Sequence, residues 1–133
     1  MVQKVLDTIS ESTHVVLLHH QLIWLYGNPE LENDLATIPN GRLGECFWCI
    51  NPNNFYQDIY PLLMEVESRG IEVLCIGGDI GFYAKTYHHQ TPEGIDFLAS
   101  GMNLEEEDNS VLLLSYDFSE KTLRWNFSLL KDL

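Results

Sequence analysis

His19 and His20 stand at the end of one apolar run, His14-Val15-Val16-Leu17-Leu18, and Gly78 and Asp79 stand at the end of another, Ile71-Glu72-Val73-Leu74-Cys75-Ile76-Gly77. Imidazole nitrogen and carboxylate oxygen are the donor types that hold Mn, Zn, Fe or Mg as divalent ions. In α/β proteins a rigid strand aims the residues at its carboxyl end into a crevice. His19 and Asp79 are therefore the candidate metal ligands, with His20 and Gly78 beside them as supporting residues. The same residue types also serve structure alone. A histidine after a strand can cap the sheet, and an aspartate in a glycine-rich loop can close an Asx-turn or start a helix.

Two further groups have reactive side chains. Cys46 and Cys49 have the Cys-Phe-Trp-Cys spacing of a redox pair or half a zinc site. No second cysteine pair completes four ligands, and Asn51-Pro52-Asn53 interrupts the helix a redox motif needs, so the pair reads as structural or incidental. Cys75 lies inside the second apolar run and reads as a small buried hydrophobe. His88 and His89 form a second histidine pair that could approach the same crevice or stand inert on a hairpin. The acidic stretch 103–109, with Glu105 to Asp108 in succession, reads as a solvated loop or as a weak site for a hard cation.

The elements that must position these residues follow from periodicity. Val5, Leu6 and Ile9 form the stripe of a short amphipathic helix. The apolar run 15–18 that follows predicts a central strand covered on both faces. Turn formers recur from 21 to 53, where Trp24, Tyr26, Phe47 and Trp48 can order a long loop on their own side chains. Asp58 is the expected N-cap of a helix with Pro61 in its first turn, Leu62, Leu63 and Val66 at helical spacing, and Arg69-Gly70 at its end. The strand 71–76 completes a parallel βαβ pattern. Strand-like segments at 82–87, 95–99, 110–118 and 122–129 are joined by short turns, which predicts antiparallel neighbours. The expected fold is α/β: a single domain over 1–133, with a mixed sheet that begins parallel and ends antiparallel, two or three helices and two sheet layers.

The pair of strand-end motifs, with its spacing, resembles the C-terminal half of the calcineurin-like metallophosphoesterases. There a strand ends in a His-His-Pro type motif, a helix follows, and the next strand ends in Gly-His-x-His. Gln21 stands here in place of the proline, and Gly78-Asp79-Ile80-Gly81 in place of Gly-His-x-His. The resemblance covers roughly residues 3–129. It implies half of an αββα sandwich, two divalent metals held at strand ends, and phosphoester hydrolysis. It places His19 at a metal-ligand position and puts Asp79 and Gly81 where the family has histidines. The family's N-terminal motifs, Gly-Asp-x-His, Gly-Asp-x-x-Asp and Gly-Asn-His-Asp/Glu, do not occur. Activity is therefore expected only when an N-terminal half completes the site. The alternative is a binding or assembly module that keeps the scaffold and has lost the site.

Composition narrows the partners. With 133 residues and 45% hydrophobic content the chain can bury one core. Asp and Glu number 20 against 7 Lys and Arg, a formal charge of −13. That field repels phosphate backbones and anionic lipid, so neither nucleic acid nor membrane is an expected partner. No apolar run approaches a membrane span, and the first residues lack a secretory signal's apolar stretch. Three cysteines that cannot all pair fit a reducing, cytoplasmic compartment. The expected partners are a phosphoester small molecule and, because half a sandwich leaves an apolar sheet face open, either a second copy in a homo-oligomer or the missing N-terminal half.

Overall fold

The computed structural model describes residues 2–31, 53–80, 86–102 and 107–133. Among these residues, two α-helices and six strands follow the order α1 (Val2–Thr8), β1 (His14–His19), α2 (Tyr60–Ser68), β2 (Glu72–Gly77), β3 (Thr86–Gln90), β4 (Asp96–Ser100), β5 (Ser110–Asp117) and β6 (Thr122–Leu129). The first four strands form one sheet in the order β1-β2-β4-β3, and β5 and β6 form a second. β1 and β4 both run parallel to β2, and β3 runs antiparallel to β4. This is the expected α/β fold, with its parallel start, antiparallel finish and two sheets.

The period of two along each strand separates the faces of the large sheet. Val73, Cys75, Phe97 and Ala99 point to one side, where they join Leu6 of α1, Leu63 and Val66 of α2, and Leu22, Trp24 and Leu25 in a single buried cluster. Trp24 is fully buried, stacked between Phe97 at 5.1 Å and Tyr87 at 5.2 Å. Its indole thus belongs to the core of the sheet rather than to a loop packed on itself. Arg69, just beyond α2, donates to the carbonyls of Leu6 and Ile9 at 2.9 and 3.0 Å, which satisfies the open end of α1 and ties the two helices together.

The other face carries Leu74 and Leu98, both buried. The β5–β6 hairpin lies over it, held by two histidines from the sheet. His14 Nε2 accepts the Leu123 N–H at 3.2 Å while its ring meets Tyr116 edge-on at 5.7 Å. His88 packs its ring on Trp125 at 4.7 Å and bonds Asp96 at 2.7 Å. The Glu72 carboxylate also lies 3.0 Å from His14 Nε2. A neutral ring can accept from Leu123 or a protonated ring can donate to Glu72, but one nitrogen cannot do both.

Three expectations are corrected. Among the described residues β1 is an edge strand, not a central one: Val15 and Leu17 turn inward, whereas Val16 and Leu18 are exposed, Leu18 at 71%. Its unbroken apolar run hid an alternation because both faces carry apolar residues. β2 is the strand covered on both sides, with Val73, Leu74 and Cys75 all buried. Asp58 is not an N-cap, because a π-helical turn over Phe55–Ile59 already precedes α2. Asn53 Oδ1 accepts the Phe55 N–H at 2.9 Å and starts the winding early, and Pro61, lacking an N–H, cannot supply a regular bond to the preceding turn. The strand expected at 82–87 is found at Thr86–Gln90, with 82–85 outside the described residues. Cys46, Phe47, Trp48, Cys49, Gly81 and residues 103–106 likewise lie outside them.

Candidate functional site

The register of β1 on β2 pairs His19 with Gly77, so both apolar runs end at the same edge of the sheet. The chain then turns sharply: Gly78 N–H donates to the carbonyls of both His19 and His20, at 3.2 and 3.0 Å. Asp79 follows with φ of 55°, a left-handed conformation that aspartate tolerates better than most residues. A Cβ on Gly77 would stand 2.5 Å from a Leu22 methyl and 3.0 Å from His19 Cε1. The imidazole therefore lies across a backbone that only glycine keeps open.

His19 has a defined proton position. Its Nδ1 contacts the Gln21 carbonyl, which can only accept, so the proton sits on Nδ1 and Nε2 bears a bare lone pair. Nε2 is buried and has no hydrogen-bond partner among the described residues. Burial, opposed by the Gln21 bond, holds the imidazole below its ordinary pKa and keeps it neutral. A neutral ring anchored through one N–H to a backbone carbonyl is the state in which histidine binds metals.

The rest of the expected set is less convergent. His20 is exposed and takes part through its carbonyl, and Gly78 acts through its backbone N–H. Asp79 is half-buried on the same turn, and no hydrogen bond joins its carboxylate to His19 among the described residues. His88 and His89 do not join the edge. His88 faces the hairpin, while His89 stacks on Phe97 at 6.2 Å and approaches Glu30 at 3.9 Å.

No family model, curated protein or solved structure matches the chain.

The fit to a metal rests on this geometry. His19 offers a suitable lone pair and the Asp79 carboxylate stands on the adjoining turn, but among the described residues no three His, Cys, Asp or Glu side chains gather to hold an ion. These side chains fit a contribution to a metal site and do not by themselves make a two-metal centre. Among the described residues no helix is long and apolar enough to cross a membrane. Periodicity did not single out Tyr56 and Tyr60 or the clasping role of His14. The signals for both were weak: aromatics four apart on a helical stretch, and a histidine opening a strand.

Proposed function

We propose that this chain is a metallophosphoesterase-like scaffold in which His19, with Asp79 beside it, contributes to a divalent-metal site completed by an accompanying N-terminal half. In that state its substrates are phosphoesters. The observation that supports this is the His19 imidazole itself, with its proton on Nδ1 and a buried Nε2 lone pair at the carboxyl edge of two parallel strands. When bound, the metals would supply the Lewis acidity for hydrolysis. The role of this chain is to hold a neutral imidazole in place through Gln21 and to leave room for it at Gly77. Hydrolysis also needs a bridging carboxylate and an acid for the leaving group, and the motifs that carry them do not occur in this sequence.

The isolated chain should therefore bind Mn²⁺ or Zn²⁺ in calorimetry no tighter than about micromolar, and His19→Ala should weaken that binding about tenfold or more. It should hydrolyse bis-p-nitrophenyl phosphate no faster than a metal-only control. Unchanged affinity in His19→Ala removes this histidine from the site. Turnover that His19→Ala abolishes shows a chain catalytic on its own.

A second reading, a non-catalytic assembly module, is favoured by the exposed apolar side chains Leu18, Leu114, Tyr116 and Phe118. It expects metal binding that is indifferent to His19 and association that depends on these four residues.

A further inference from the structure

A groove of about 370 Å³ lies where the Gly27–Glu30 loop, the start of α2 and the β3–β4 turn meet, with Pro29, Glu30, Tyr56, Tyr60, Pro92 and Glu93 in its lining. It sits at the amino end of β4, the opposite edge of the sheet from His19. The two tyrosine rings stand 5.1 Å apart at an interplanar angle of 54°, so they present two walls rather than one flat stack. Both are fixed by their hydroxyls. Tyr56 donates to the Trp24 carbonyl at 2.6 Å and accepts from Asn28 Nδ2 at 3.0 Å. Tyr60 donates to Glu93 Oε2 at 2.5 Å. The groove also has structural support, since Gly27 and Gly94 hold the flanking turns at φ of 85° and 99°.

Among the described residues the charge around these rings has one sign. Glu30 and Glu93 both line the groove, no Lys or Arg does among the described residues, and the whole chain carries a formal −13. Packed walls with rigid aromatic faces and two solvent-reaching carboxylates are complementary to a cation that is apolar on its surface, because a ring quadrupole attracts positive charge without demanding a hydrogen bond. A small hydrated metal ion gains little from such walls.

The geometry points to a binding site for alkylated ammonium groups, with Tyr56 and Tyr60 as aromatic walls and Glu30 and Glu93 as counter-charges. The protonation states agree with this arrangement. The Tyr60 hydroxyl holds the Glu93 carboxyl below the usual carboxylate range, while burial pushes the Tyr56 phenol up to about 12, so the acid is charged and the ring neutral near pH 7. The site is independent of the metal reading and stands if that reading fails.

Choline and a trimethyl-lysine peptide are titrated into the full chain at constant ionic strength, with tyrosine ring shifts followed by NMR. The neutral isostere 3,3-dimethyl-1-butanol and potassium chloride serve as controls. At least one ammonium ligand should saturate the shifts in the millimolar range or below, and the isostere should bind about tenfold more weakly. The tighter of the two ammonium ligands names the source of the cation. Tyr60→Leu should weaken binding about tenfold, Tyr60→Phe no more than about threefold, and Glu93→Gln about threefold to fivefold. Glu93 is exposed, so Glu93→Gln tests the site without burdening the fold. Failure of both ammonium ligands, equal binding of the isostere, or indifference to Glu93→Gln together with Tyr60→Leu overturns the assignment.

Discussion

At the scale of single residues, His19 couples protonation to folding. Burial holds its folded pKa below the ordinary 6.5. On acidification the unfolded chain therefore takes up this proton first, and stability falls as pH drops from the ordinary value through the folded one. Urea midpoints measured at about pH 7.5 and 5.5 should show this loss, and His19→Asn should remove part of the slope. Gly77→Ala is the complementary test. Its methyl would collide with Leu22, which is itself buried and cannot swing away, so a loss of about 1–3 kcal/mol is expected, together with an altered His19 ring shift. Wild-type stability and an unmoved ring would show that His19 does not press on the backbone at Gly77. Cys75 has no such sensitivity, since burial pushes its thiol up to about 12.

At the scale of elements, the β5–β6 hairpin depends on its dock. A two-stranded hairpin is marginal alone in water. Here its apolar side is only partly covered, with Leu114 and Tyr116 exposed. The His14 side chain is 9% exposed and accepts the Leu123 N–H, so His14→Ala should leave that amide unpaired and cost about 1–3 kcal/mol. Hydrogen exchange should then accelerate in β5 and β6 well before β2 and β4; uniform acceleration through both sheets would show that the hairpin is not a separable layer. The hairpin was legible from sequence because both its signals are local: two β-rich runs, and a turn at Ser119-Glu120-Lys121 whose backbone Asp117 Oδ1 captures at 2.8 and 3.1 Å. The edge position of β1 was not legible. It depends on β4 pairing with the far side of β2, a choice made by Phe97 and Ala99 against Cys75 and Gly77 rather than by anything in residues 14–19. The strand-end edge of the candidate site could be read from the two apolar runs. The Nδ1 proton could not, since it follows from the carbonyl of Gln21, whose direction only the folded turn defines.

At the scale of the whole molecule, the uncovered surface sets an expectation of association. Among the described residues β1 is an edge strand, with no Lys or Pro to blunt it and with its own Leu18 exposed, while Phe118 on the hairpin is 86% exposed. A homodimer that buries these residues should bury about 2,000 Å² or more in total and survive high salt. Light scattering at micromolar concentration checks this. Leu18→Lys with Phe118→Glu should yield monomers without lowering the thermal midpoint, whereas a wild-type chain that is already a compact monomer rules the dimer out. The contact from His14 to Leu123 also has a consequence in time, because it spans 109 positions of the chain. A ribosome adding roughly 5–20 residues per second needs about 5–20 seconds to pass from His14 to the hairpin strand that bonds it. Through that interval the nascent chain carries His14 without the amide it accepts from, and until β2 is made the run Val15-Val16-Leu17-Leu18 lacks its strand partner as well, so chaperones or neighbouring nascent chains meet this segment first.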